Sequence, residues 1–403
     1  MTSNNTIANS EIATFAEGVA ASSGRGEMWG PAAVLNDGAG ASDTATNASK
    51  ARAILERKIE QGRVSAADLL SRIESDVPDD TLVRGGALEF VANGAIKVRL
   101  GEGEVLGVHH HALGQMASRA GIPSAYLATL GTEEGWQREL ACEILNRHYR
   151  EGAPATRFLA RSVRCEMRGF LSDHYRRLDS RPLVDAFATE CQAVGAVPVD
   201  GTVTDTRVAL KAILPEIYEP VPGEVLAFGV EWHNSDFGAG AHALRAFMLR
   251  VWCLNGATME NALAQVHLGG RMSEAFDLSQ RTYRLDTAAS KSALRDVVRG
   301  VLAAPAIEVM CNAIRSAHEK QIDWKNVKNA VGRRLLKGEL ETAQAAFEGA
   351  DTINLPAGRT AWRASNALSW IAGQTENPDR KLDLQRLAGE LVSGTRDAES
   401  ALN

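Results

Sequence analysis

Residues 157–181 read RFLARSVRCEMRGFLSDHYRRLDSR, and they open a central block, 151–275, in which strand and helix signals alternate. Residues 163–170 and 202–213 have the look of strands, and 183–193 that of a helix. Strands are also expected at 225–232 and 243–251, on either side of the polar turn HNSDFGAGAH, with a helix opening near Asn255. A central antiparallel or mixed sheet with helices before and after it predicts an α+β fold with a helical C-terminal region.

Outward from this block, residues 1–48 are rich in Ser, Thr, Asn, Gly and Ala, with Arg25 as their one basic residue. Such a segment buries little apolar surface and is expected to form an acidic, disordered arm. Residues 49–150 are expected to be mostly helical. Two amphipathic helices would break near Gly62, with Ser65 capping the second. A hairpin would turn at Asn93-Gly94, a helix would close at Gly121, and another would start after Pro123. From 276 to 403 the composition turns Ala-, Leu-, Arg- and Glu-rich, predicting helices to about 348 and a last helical pair from about Thr360.

The 403 residues carry a formal net charge of -6, so a polyanion would have to meet a local patch rather than a basic surface throughout. Five scattered cysteines without a CxxC pair suit reduced thiols, no apolar run reaches membrane-spanning length, and no signal peptide is evident; the expectation is a cytoplasmic protein.

Residues 157–181 are such a patch, with seven arginines against Glu166, Asp173 and Asp179, and Phe158, Phe170 and Tyr175 among them. Arginines contact phosphates and aromatic faces stack on unpaired bases, which makes Arg157, Arg161, Arg164, Arg168, Tyr175, Arg176 and Arg177 candidate nucleic-acid contacts. The same composition suits arginines that pair with neighbouring carboxylates at a strand end. Arg245 and Arg250 sit among apolar residues and need anionic partners, whether protein carboxylate or phosphate. In the basic run 320–337, Lys325, Lys328 and Arg333 share part of a helical face, either as a contact or as a solvated surface. His109, His110 and His111 invite a metal, but adjacent helical side chains point about 100° apart, so no metal site is assigned. His233, Asn234, Ser235 and Asp236 have a hydrolase-like composition without the GxSxG elbow, and it is equally that of a tight turn. No catalytic residue and no cofactor is assigned.

Three stretches resemble a family of phage and plasmid proteins of unknown function carried on mobile genetic elements: MRGFLSDHYRRLDSRPLVDAF preceded by TRFLARSV, then WHNSDFGAGAHALRAFMLRVWCLNGATME, and HHHALGQMASRAGIPSAYL. Together they span about residues 105–275. The resemblance implies a role in mobile-element DNA metabolism or counter-defence and brings no catalytic residues. The arginine-bearing core is also loosely similar in architecture to Rad52-like single-strand annealing proteins. The expected function is single-stranded DNA binding or annealing in recombination by a homo-oligomer. The alternatives are a counter-defence or assembly protein working through protein contacts, and a nucleic-acid-directed enzyme using the 233–245 loop.

Overall fold

The computed structural model describes residues 41–265, 279–349 and 354–393; most of the expected N-terminal arm lies outside them. The fold is α+β, built on two sheets.

It begins with a single helix, α1 (Ala41–Ser75), about 50 Å long at 1.5 Å per residue. Ala51, Leu55, Ile59, Leu70 and Ile73 recur at helical spacing on its buried face. The expected break at Gly62 does not occur. A Cβ there would stand 2.5 Å from the Val199 Cα, so the glycine is the point at which the helix presses on a strand backbone. Ser65 is no cap; its hydroxyl donates to the carbonyls of Gln61 and Gly62 within the helix.

The first sheet holds β1 (Asp79–Arg84), β2 (Leu88–Asn93), β3 (Ala95–Leu100), β4 (Val105–Val108), β5 (Arg157–Val163) and β6 (Glu166–Ser172). Their order is β1-β5-β6-β4-β3-β2, antiparallel except where β4 runs parallel to β6. The sheet therefore spans the boundary expected near residue 150. The β2–β3 hairpin turns at Gly94, whose φ of 68° suits a residue without a side chain. Residues 163–170, expected as one strand, form a hairpin instead. Its two-residue turn places Arg164 at φ 55° with Val163 opposite Glu166. Helices α2 (His110–Ala120), α3 (Ser124–Thr132) and α4 (Trp136–Leu145) cover the sheet, and Gly121 closes α2 in the left-handed region.

After α5 (Ser180–Ala193) comes a second, antiparallel sheet, ordered β12-β11-β10-β8-β7 with β9 beside β10. Its strands are β7 (Val197–Val203), β8 (Val208–Ile213), β9 (Tyr218–Val221), β10 (Glu224–Asn234), β11 (His242–Arg250) and β12 (Asn255–Gln265). Residues 202–213 are again a hairpin rather than one strand, turned where the Thr204 amide donates to the Arg207 carbonyl. The helix expected near Asn255 is β12, because the chain reverses after Arg250 and pairs with β11.

One face of this sheet buries Val230, Trp232 and Leu244 under α5 and α6 (Gln280–Val301). Farther along the same face, Leu226, Phe228 and Met248 pack among α7 (Ala304–Glu319), α8 (Trp324–Val331), α9 (Lys337–Glu348), α10 (Ala361–Gln374) and α11 (Pro378–Ser393). The opposite face carries Val225, Ala227, Phe247 and Leu249 toward α1. Helix α11 crosses β12 so closely that a Cβ on Gly389 would lie 2.0 Å from the Thr258 carbonyl oxygen. Gly389→Ala is therefore expected to cost about 1–3 kcal/mol, read as a lower midpoint in urea unfolding; an unchanged midpoint would show that α11 can move away from β12.

Candidate functional site: an arginine seam and a charged row

Six of the seven arginines of 157–181 are engaged by carboxylates, and Arg161 and Arg168 reach from the first sheet to loops of the second, at Asp236 and Asp205. Arg161, on β5, is 1% exposed. Its guanidinium donates to Asp80 at 2.7 Å, to Asp179 at 2.7 Å and to the Asp236 carbonyl. Arg177 shares Asp80 at 2.9 Å. Arg168 is buried between Asp76 at 3.0 Å and Glu166 at 3.2 Å, and Arg157 holds Asp173 at 2.9 Å. Arg176 is buried against Asp286 and donates to the Ser290 hydroxyl at 2.8 Å. Arg164, at the tip of the β5–β6 turn, is the open member: its side chain is 72% exposed and reaches Asp76 at 3.4 Å. The aromatics are internal as well. Phe158 and Phe170 stack at 4.7 Å between ring centroids in the core beside Tyr149, and Tyr175 is half-buried. Neither phenylalanine ring presents a face to solvent on which a base could stack.

The loop after β10 seals this seam. Asn234 and Ser235 are fully buried; the Ser235 hydroxyl donates to the Thr206 carbonyl at 2.7 Å and accepts the Ala239 amide at 2.8 Å. The Phe237 carbonyl accepts from the Gln115 amide at 2.9 Å and lies 3.1 Å from the His111 ring, tying the loop to α2. Asp236 accepts from the Ser180 amide at 2.8 Å, the Ser180 hydroxyl at 2.6 Å and Asn234 at 3.2 Å. Burial, reinforced by the neighbouring Asp179, pushes the Asp236 carboxyl up to about 6 despite the opposing pull of Ser180 and Arg161. These polar groups bond one another and fix the loop, as turn chemistry does. The three histidines do not converge on one point, although the His109 and His110 rings lie 4.0 Å apart between centroids. His109 caps α2 by accepting the His111 amide at 3.2 Å, His110 is exposed, and His111 faces Phe237. Among the described residues, no group of three or more His, Cys, Asp or Glu side chains is placed to hold a metal ion.

A second polar feature, absent from the sequence reading, crosses the second sheet. Cross-strand register sets Asp200 (β7) opposite Lys211 (β8), Lys211 opposite Glu231 (β10), and Glu231 opposite Arg245 (β11). Signs alternate along this row, the arrangement that favours cross-strand pairs. Lys211 and Glu231 are each 3% exposed, 3.3 Å apart. Lys211 also donates to the Gln385 side chain of α11, and Glu231 accepts from the Thr258 hydroxyl at 2.9 Å. Burial pushes the Glu231 carboxyl up, but Lys211 and Arg245 outweigh it and hold it below the usual range. Asp200 reaches the row through a β-bulge: the register shifts between Pro198 and Asp200, so the extra residue Val199 turns toward α1. Arg250 lies at the far end of β11 with its Nε and Nη2 on Glu224, at 2.6 and 2.9 Å, and its Nη1 on the Asn354 carbonyl. Beyond the sheet, Lys325, Lys328 and Arg333 are exposed on α8 and the turn after it, and none makes an ion pair among the described residues.

Comparisons with family models, curated proteins and solved structures find no match. Among the described residues, no single helix is long and apolar enough to cross a membrane.

Two outcomes follow for the seam. Arg161→Ala leaves Asp80 and Asp179 without their shared partner and should cost about 3–5 kcal/mol in chemical unfolding; a loss under 1 kcal/mol would mean that the seam relaxes around the gap. The folded Asp236 carboxyl titrates above its ordinary value, so its contribution favours the fold at acid pH and is lost as pH rises through about 6. Asp236→Asn keeps an acceptor for Ser180. It should raise the melting temperature relative to wild type at pH 8, with the difference vanishing at pH 4. A variant destabilised equally at both would assign Asp236 a purely structural role.

Proposed function

We propose that this chain is a single-strand nucleic-acid binding protein of a mobile genetic element, acting as a homo-oligomer in annealing or recombination. The contact surface in this reading is the group Lys325, Lys328 and Arg333. One observation carries it: these three cations are exposed and make no ion pair among the described residues, whereas nearly every arginine of 157–181 is already neutralised by a carboxylate. A phosphate backbone gains most from cations whose charge is not yet spent on protein partners. Lys325 and Lys328 lie three residues apart on α8 and so share a face. Trp324 is buried against Phe347, which fixes the helix that presents them. Arg164 is the member of the central patch most open to join them. Self-association is supported by β1, which ends the first sheet with Leu82 54% exposed, an edge open to a second copy. A protein partner is the second reading, favoured by Leu336, 65% exposed and three residues beyond Arg333.

The test is a salt titration of oligonucleotide binding. Replacing Lys325, Lys328 and Arg333 with Ala should weaken single-strand binding for every sequence and lower the log–log salt slope by roughly 0.7 per contact removed. Arg176→Ala with Arg177→Ala should lower stability while leaving the slope of the folded fraction unchanged. Loss of slope in this pair alone would return the contact surface to residues 157–181.

A further inference from the structure

On the α1 side of the second sheet, a cleft of ≈ 580 Å³ opens between α1 and the α10–α11 pair. Its size falls within the range of small-molecule sites. Its floor is the sheet, with Phe247 and the Asp200 end of the charged row; its walls include Lys58 from α1, Trp370 from α10, and Lys381 and Gln385 from α11. Lys381 stands 3.7 Å from Asp200, and both it and Lys58 act on that carboxylate. Burial pushes the Asp200 carboxyl up, but Lys211, Lys381 and Lys58 together pull it below the usual range, so it stays ionised.

The charge sum is simple. Asp200, Lys211, Glu231 and Arg245 contribute −1, +1, −1 and +1, which cancel. Lys58 and Lys381 then leave a surplus of two positive charges around the cleft, and among the described residues Asp200 is the only acid in its lining. This surplus occurs in a chain whose net charge is -6. The Lys211 ammonium sits 5.1 Å from the centre of the Phe247 ring, on a buried row that cannot relax into solvent. Trp370 is half-buried, part of its indole facing the space above.

We propose that this cleft binds a nucleoside monophosphate. Its phosphate dianion matches the two positive charges of Lys58 and Lys381, and its flat base packs along Trp370. Gln385, held by Lys211, and the ionised Asp200 supply polar partners for ribose or for an exocyclic amino group. The site is separate from the Lys325, Lys328 and Arg333 surface and does not depend on it.

The test is calorimetric titration of the full chain with a nucleoside 5′-monophosphate, the corresponding nucleoside and inorganic phosphate. Saturable binding of the monophosphate is expected, weakened about tenfold or more in Lys58→Ala and in Lys381→Ala. These two side chains lie at least partly in solvent, so both variants should still fold, with circular dichroism as the check, although each loses an interaction with Asp200. Trp370→Leu should weaken the monophosphate while leaving any weak binding of inorganic phosphate in place. The Lys325→Ala, Lys328→Ala, Arg333→Ala triple variant should bind the monophosphate as wild type does, even if it no longer binds oligonucleotides. Three results would overturn the assignment: no saturable binding of the monophosphate at millimolar concentration, affinity unchanged in folded Lys58→Ala and Lys381→Ala, or nucleoside binding as tight as monophosphate binding.

Discussion

One buried guanidinium joins the halves of this fold. Arg161 leaves β5, the second strand of the first sheet, meets the edge strand β1 through Asp80, the entry to α5 through Asp179, and the loop after β10 of the second sheet through the carbonyl of Asp236. Taking such a charge out of water costs several kcal/mol unless every donor is used. Here the fork is filled by three elements at once, so the two sheets cannot separate without stranding it. The rest of the seam follows from that constraint. Asp80 is shared with Arg177, Asp76 with Arg168 and Arg164, and the loop at 235–241 covers the assembly with its own hydrogen bonds.

The distinction that governs function is between cations already answered by the protein and cations left open. Arg161, Arg168, Arg176 and Arg250 belong to the first kind, each buried beside a carboxylate. Lys325, Lys328 and Arg333 belong to the second, while Lys58 and Lys381 are in excess because they share the one carboxylate of Asp200 with the row. An acidic chain can therefore keep two separate groups of surplus cations, one exposed and one recessed, while its largest arginine cluster serves the fold.

Much of the architecture was legible from local signals. Gly94 and Gly121 mark a turn and a cap because their backbones require positive φ, and Thr360 caps α10 by accepting the Arg363 amide. The missed reversals share one trait: none carries glycine or proline. The β5–β6 turn uses Arg164 and Cys165, the β7–β8 turn uses residues 204–207, and the chain enters β12 through Leu254 at φ 55°. Gly62 misled in the opposite sense, because its reason is a strand pressing on the helix. The fate of the arginines was hidden by distance: Asp80 lies 81 residues before Arg161, and Asp286 lies 110 after Arg176. The charged row was invisible because a bulge and three strand registers, none of them local properties, bring its members together.

That row also acts as a key for strand pairing. Side chains alternate between faces, so sliding β10 by one residue would carry Glu231 onto the face that buries Val230 and Trp232 beneath α5 and α6. Lys211 and Arg245 would lose their partner in the same step. An all-apolar sheet could tolerate such a slip at the cost of looser packing; this one would bury an unanswered charge. Four ionised side chains thus select a single alignment of β7, β8, β10 and β11 and penalise its nearest competitors during folding.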